Sequence, residues 1–586
     1  MMSRRRDDKR VAAYRFGDVS IDCGDFRLLK GGQPSKITPR AFEVLLYLVE
    51  HRGRVVGKQE LFEQVWKESF VTDNALTRMV KEIRRVIGDD ADSPLYIETV
   101  PKRGYRFIAA TEAETESEER DSQEASAPAS IAVLPFANLS ADPDHEYLTE
   151  GITESIINHL SRVSHLRVVP RSTVFHLHRQ ERDPLDIGRA LRVRAVLTGR
   201  VLQRGDALVV KTELLDVQKE SQLWGEQYQR TLAAIFDVQE EIAREISAQL
   251  RLKLSREEQS RLTERPTRNL EAYQLYLKGR YFWNRRPQGL KRGIDYFEQA
   301  LEKDSRFALA YAGLADSYNT LGSWENSALR PTEAMPKALD AARRALELDP
   351  TLAEAHTALA YSKLHYERDL HETDAGFSRA LALNPNYVHA QHWYSHYYMA
   401  RGHVEASLDA SLRAYALDPL DLIINAHLIW HYWLARQPDE ALSHAEKTRE
   451  LDQQSIWPSF FAGLALEQKS MFDEAASAFR QANALTPDMT FVRAALAHSL
   501  ALGGEKKAAQ KILRELERER EHRYVPAYDL ALIHLGLGEI ELSLRWLGAA
   551  LEERSGWMAY LRVEPRLDSL RSTPEFAQLI DLAGLR

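Results

Sequence analysis

The stretch "VTDNALTRMVKEIRRVIGDD", residues 71–90, carries Asn74, Thr77, Arg78, Lys81, Arg84 and Arg85. Their chemistry is ion pairing and directional hydrogen bonding to polyanions. Guanidinium and ammonium groups meet phosphates and guanine edges, while Asn and Thr meet adenine or a thymine methyl. A solvated face is the ordinary meaning of such a helix, so its neighbours must decide. A second group is His389, His392 and His396 in "HAQHWYSH". Their spacing puts imidazoles near one helix face, as a metal would need, but no carboxylate or Cys completes the set and no metal is expected. Asp142, Asp144 and Glu150 surround a helix start, where N-capping explains them better than catalysis. No Walker loop, G-x-S-x-G elbow or HExxH occurs, and "GLGEIELS" is a broken glycine pattern on a repeat turn. No catalytic residue and no cofactor are expected.

The elements around the first stretch give it a purpose. At about 100° per residue, Leu76, Met79, Val80, Ile83, Val86 and Ile87 fall on one side of a helix and the polar residues on the other. Upstream, "YRFGDVSIDCGDFRLLKGGQPSKI" alternates as a small antiparallel sheet. "TPRAFEVLLYLVEHRG" has Thr38 as N-cap, Pro39 at the first helical position and Gly53 as stop. "GKQELFEQVW" is a second short helix. "LYIETVPKRGYRFIA" is two strands around the turn "PKRG". Three helices closed by a hairpin make a winged helix, whose third helix enters the major groove and whose hairpin tip reaches nearby backbone or minor groove. Lys102 and Arg103 at that tip extend the basic footprint.

Residues 14–109 resemble the OmpR/PhoB-type winged-helix domain, more closely its CadC/ToxR-like branch. The pieces that carry the resemblance are "ITPRAFEVLLYLVEHRGRVVGKQELFEQVW", "VTDNALTRMVKEIRRVIGD" and "YIETVPKRGYRF". The resemblance implies that Asn74, Thr77, Arg78, Lys81, Arg84, Arg85, Lys102 and Arg103 bind double-stranded DNA. Two departures are read from the sequence: no phosphoacceptor receiver is expected ahead of the module, and no membrane helix behind it.

Bulk properties fit a basic module on an acidic body. Net charge is −8 over 586 residues, yet residues 1–108 hold 21 Lys+Arg against 16 Asp+Glu, a net of +5 that leaves −13 for the rest. Such asymmetry points to a nucleic-acid-binding part joined to another function. The one cysteine, Cys23, excludes an intramolecular disulfide and a Cys-based zinc site. "MMSRRRDDKR" lacks an apolar core, so no signal peptide is read there. No apolar run reaches the ~18 residues of a membrane span. A cytoplasmic protein is expected.

The organisation is multidomain. After a basic tail at 1–13 and the winged helix-turn-helix module (α+β) at 14–110, residues 111–129 are acidic and read as a flexible linker. Residues 130–255 alternate strand and helix patterns, an α/β domain with a mixed sheet. They resemble the TolB-like amino domain through "AVLPFANLSADPDHEYLTEGITESI", "LRVVPRSTVF" and "LWGEQYQRTLAAIFDVQEEIA". From 270 to 586 the chain repeats: "ALELDP", "ALALNP", "AYALDP" and "ANALTP" end at Pro350, Pro385, Pro419 and Pro487. This period of about 34 with a terminal Pro resembles the tetratricopeptide repeat, an all-α solenoid of about eight units with a C-terminal cap. By that resemblance, the concave groove is lined by Tyr361, His389, His392, His396, Met399, Trp430, Trp433, Trp457 and Phe460. They are expected to form a pocket for a peptide or a small aromatic or anionic ligand, with affinity changing near pH 6–7 through the histidines. Packing between neighbouring repeats is the alternative.

The sequence therefore points to a DNA-binding transcriptional regulator whose α/β and repeat parts sense a signal or hold a protein or small-molecule partner. Pairs of protomers on two half-sites are expected. An assembly scaffold whose winged helix serves as a protein contact is the alternative.

Overall fold

A computed structural model describes residues 11–115 and 129–585. Not described within them are 23–26, 32, 36, 67–72, 102, 141, 164, 179–181, 251, 253, 256–257, 260–264 and 287. The basic tail up to residue 10, Cys23, Lys102 and linker residues 116–128 lie outside the described residues. The chain divides into two compact units, Met1–Ala127 and Pro128–Arg586.

The first unit begins with an antiparallel sheet of strands β1 (Val11–Phe16), β2 (Val19–Asp22), β3 (Arg27–Lys30) and β4 (Gln33–Pro34). A fifth strand, β8 (Glu112–Thr115), completes the order β4-β3-β2-β1-β8. Ala113 pairs with Tyr14 and Glu112 with Arg15, so the start of the acidic stretch is a strand of this unit rather than linker. Helices α1 (Pro39–Glu50), α2 (Lys58–Trp66) and α3 (Asp73–Ile87) follow, with β5 (Val55–Gly57) between the first two. β6 (Ile97–Val100) and β7 (Gly104–Phe107) form the closing hairpin in the order β5-β7-β6. The alternating residues Phe16, Val19 and Ile21 and the helical stripe Phe42, Leu45 and Val49 meet in one core.

In the second unit a mixed sheet runs through Leu166–Val168, Ala129–Val133, Ala195–Arg204, Ala207–Asp216 and Ser221–Thr231 in that order, and the short strand β10 (Ala137–Asn138) pairs with Ala195–Arg204. β9 (Ala129–Val133) lies parallel to both β11 (Leu166–Val168) and β12 (Ala195–Arg204). β13 (Ala207–Asp216) and β14 (Ser221–Thr231) extend it antiparallel. β9 reads apolar throughout because the sheet buries it on both faces. The helix Glu146–Ser161 packs on it through Leu148, Ile152 and Ile156.

Among the described residues, eight helical hairpins follow, from Leu270–Trp283 with Leu290–Lys303 to Ala527–Leu537 with Ile540–Glu552. Small residues let the paired helices close. Gly279, Gly313 and Gly463 each stand where an added Cβ would meet a phenylalanine ring, Phe297 or Phe479, under 3 Å away. The α/β part and the repeats share one body. Glu154, on the helix Glu146–Ser161, accepts from Arg280 at 2.7 and 2.9 Å and from Asn284 at 2.8 Å. Thr173 donates to Asp418 at 2.7 Å, and Asn386 to the Ser161 carbonyl at 3.2 Å.

Past the last hairpin, the chain turns inward. The segment Gly556–Tyr560 is a buried 3-10 turn lying against residues of the repeats' first helices. Trp557 stacks on Tyr528 and touches Trp324 and Trp430, and Tyr560 also packs on Trp430.

Candidate nucleic-acid interface and the repeat interior

The basic helix α3 is held in rotation by its apolar stripe. Leu76, Val80, Ile83 and Ile87 are buried in the module's core, which leaves Thr77, Arg78, Lys81 and Arg85 exposed. The acid among them, Glu82, is turned to structural use. It accepts from the Thr38 backbone N–H at 2.8 Å and from the Thr38 hydroxyl at 3.0 Å, binding α3 to the start of α1. Among the described residues, Arg78, Lys81 and Arg85 have no ion-pair partner. The side chain of Asn74 lies outside the described residues.

Arg84 corrects the expectation drawn from the sequence. It is only 8% exposed. Its guanidinium donates to the Ile97 carbonyl at 2.7 Å and to the Thr99 hydroxyl at 2.9 Å, and lies 3.7 Å from the Asp89 carboxylate. Asp89 in turn accepts from the backbone N–H groups of Leu95, Tyr96 and Ile97. Arg84 thus fastens the hairpin strand to α3 and does not face outward. Its position four residues after Val80 and three before Ile87 puts it beside the buried stripe, which is the signal that could have shown this.

The hairpin tip holds Arg103, exposed, with its N–H donating to the Val100 carbonyl at 3.0 Å. Gly104 sets the close approach behind it. Its φ is +149°, and a Cβ there would fall 1.9 Å from the Val56 carbonyl oxygen of β5.

In the repeats, the expected groove residues are mostly interior. Tyr361, His392, His396, Met399, Trp430, Trp433 and Phe460 are buried, while His389 and Trp457 are half-buried. The expectation of an open, ligand-lined groove is therefore corrected where the side chains are interior: Trp324 and the chain's own segment Gly556–Tyr560 pack against Trp430, and Tyr560 against His396. Titration near pH 6–7 does not fit either. Burial holds His392 and His396 well below the usual imidazole value, and burial with the Arg286 charge lowers His389 to about 4.

Tyr361, His389 and Trp457 do border an opening, a cavity of about 1080 Å³ between the α/β part and the repeats. Its walls add Arg171, Arg280, Arg286, Glu154, Asp316 and Asp421, none singled out from the sequence. His427 also borders it. His427 follows His392 by one repeat length, as His431 follows His396, and that periodicity was the signal for both.

The family described as "Transcriptional regulatory protein, C terminal" matches residues 32–107, from β4 to the end of the hairpin. The family described as "HilA/YgeH-like transcriptional regulator, second domain" matches residues 127–245. The chain carries an OmpR/PhoB-type winged-helix domain and is a DNA-binding transcriptional regulator. Transcriptional regulator HilA of Salmonella typhi is 23% identical over 571 residues, covering 95% of this chain and 98% of its own length. Putative adenylate cyclase 3 of Rhizobium meliloti is 34% identical over 250 residues, and the match spans 42% of each protein. The solved DNA-binding domain of E. coli CadC is 30% identical, covering 18% of this chain and 98% of that one, with a TM-score of 0.16. Among the described residues of this regulator, no helix is long and apolar enough to cross a membrane.

Proposed function

We propose that α3 reads its operator in the major groove through Asn74, Thr77, Arg78, Lys81 and Arg85, while Lys102 and Arg103 of the hairpin grip adjacent backbone. The observation that carries this reading is the fate of the acid and of Arg84. Glu82 is drawn to Thr38 and Arg84 to the hairpin, so the outward face keeps cations and a hydroxyl. A helix locked in that rotation presents donors at fixed positions, as base readout requires. Two protomers on adjacent half-sites give the site enough length for specificity.

The second unit acts as the input part and not as an enzyme. Its charged cavity suits a small polar ligand, whose binding the repeats and the α/β part would sense together. The repeats are also where a protein partner would bind. Mapping bound DNA across a genome gives the operator. A gel-shift series with Arg78→Ala and Lys81→Ala then tests the readout. Each substitution should cost about 1–3 kcal/mol at a base contact, and less at a phosphate. Unchanged affinity in both variants at matched salt rejects the assignment.

A further inference from the structure

Three imidazoles from neighbouring repeats meet at one point inside the second unit. His427 Nδ1 lies 3.0 Å from His392 Nε2 and 3.1 Å from His396 Nε2, and the three nitrogens all fall within 4.8 Å of one another. All three rings are buried, at 1%, 3% and 0% exposure.

The hydrogen bonds around them fix where the protons are on one side. His365 Nδ1 faces the Tyr361 carbonyl at 3.0 Å, and a carbonyl only accepts, so Nδ1 carries the proton. His365 Nε2 is then a bare acceptor, and the Tyr560 hydroxyl at 2.8 Å donates to it. The Tyr560 oxygen, having spent its proton, accepts from His396 Nδ1 at 3.1 Å. His396 Nε2 is therefore a lone pair. On the other side, His427 Nε2 lies 3.5 Å from Glu325 Oε1, which has no hydrogen-bond partner, so this contact does not fix the proton of the His427 ring. A single proton on His427 Nδ1 can be given to only one of its two neighbours, His392 Nε2 at 3.0 Å and His396 Nε2 at 3.1 Å. His392 Nδ1 has no hydrogen-bond partner, so His392 is the ring least satisfied by the hydrogen bonds around it. An unpaired buried acceptor is costly. A metal ion at the meeting point satisfies all three nitrogens at once.

We propose that His392, His396 and His427 form a binding site for a late first-row divalent cation, zinc foremost. Three neutral imidazoles suit that class of ion, and Co²⁺, Ni²⁺ and Cu²⁺ accept the same donors. Metal–nitrogen bonds of about 2.0–2.1 Å put tetrahedral ligand atoms about 3.3 Å apart, close to the two short contacts here. Outer partners are in place as well. Ligating histidines ordinarily give their second N–H to a carboxylate, carbonyl or similar acceptor; Tyr560 stands in that position toward His396 at 3.1 Å, and Glu325 lies 3.5 Å from His427 Nε2. His427 and Glu325 border the 1080 Å³ cavity, which supplies an entry path and room for a fourth ligand. The ion would join the fourth and fifth hairpins to the loop bearing Glu325 and to the C-terminal segment.

The test uses tag-free full-length protein, stripped by chelator and dialysed. Zn²⁺ or Co²⁺ alone is added, and bound metal is counted after gel filtration. One equivalent per chain is expected, with a visible Co²⁺ absorption of four-coordinate type and three imidazole scatterers in zinc X-ray absorption. His427→Gln and His396→Gln should each weaken binding at least a hundredfold. Tyr560→Phe should weaken it about tenfold through loss of orientation. His371→Gln, on the exposed side of a repeat, should bind as the parent does. Less than a tenth of an equivalent in the parent protein overturns the proposal, as does parent-like affinity in His427→Gln or fewer than two imidazole scatterers. Should the glutamine variants fail to fold, the parent's stoichiometry and scatterer count still decide.

Discussion

Arg78 and Arg84 are identical side chains on one helix, and one is exposed while the other is buried against the hairpin. Arg78 is exposed, so Arg78→Ala should leave thermal unfolding of the winged-helix unit unchanged while weakening DNA binding. Arg84→Ala removes the donor to the Ile97 carbonyl and the Thr99 hydroxyl and leaves Asp89 without its cation. It should destabilise the unit by about 1–3 kcal/mol. Circular dichroism melting of both variants checks the contrast, and equal melting points would contradict it. In the second unit, Asp529 is nearly fully buried. Burial pushes its carboxyl up to about 7, against the pull of the Thr490 hydrogen bond and the Arg566 guanidinium. An unfolded aspartate titrates near 3.9. The folded chain thus keeps a proton that the unfolded chain releases, so this stabilising contribution is complete below about pH 4 and is lost as pH rises through about 7. Asp529→Asn is neutral at every pH. Its stability relative to the parent should rise by about 2–4 kcal/mol between pH 4 and pH 8, read from urea midpoints. A constant gap would reject the shift.

At the scale of the element, the hairpin β6–β7 depends on Gly104. Gly104→Ala forces a side chain toward the Val56 carbonyl at a φ that L residues avoid, so β5 and the tip must separate. Lys102→Ala with Arg103→Ala keeps the hairpin and removes only charge. It should flatten the salt dependence of DNA binding by roughly one unit of slope per lost phosphate contact, and an unchanged slope in a salt titration would exclude hairpin contact. Element types were legible because local rules act alone there. Period 3.6 with Thr38, Pro39 and Gly53 marks α1, and the recurring terminal Pro marks the hairpins. Side-chain destinations were less legible. Arg84 and Glu82 lie on the polar arc by angle, yet each reaches a partner 13 to 44 residues away in sequence. Strand β8 was hidden in an acidic composition, because edge pairing uses backbone groups and not side-chain type. The repeat register put His392, His396 and Trp430 on the concave face, but gave no sign that Tyr560 and Trp557 fold back against His396 and Trp430.

At the scale of the whole molecule, the second unit is one body because the α/β part is tied to the repeats by buried charge. Glu154 is 7% exposed and receives Arg280 and Asn284, with the Arg171 guanidinium at 3.2 Å. Burial alone would raise its pKa, but Arg280 and Arg171 outweigh that and hold the carboxyl low. The same residues wall the cavity, so a ligand that displaces one of these ion pairs would act on both parts together. Glu154→Gln takes the carboxylate from Arg280, while Arg171 keeps its pairing with Glu150 at 2.7 Å. Breaking a buried pair this way costs about 3–5 kcal/mol. The loss should be local to the joint. Hydrogen exchange should show the helices Glu146–Ser161 and Leu270–Trp283 losing protection together, while the final hairpin, Ala527–Leu537 with Ile540–Glu552, keeps its own. The winged-helix unit has a separate core, so its melting should not move. Protection lost evenly along the whole second unit would mean that the ion-pair joint is not the seam between its parts. Unchanged protection at both helices would mean that apolar contacts such as Tyr273 with Phe236 hold the joint without it.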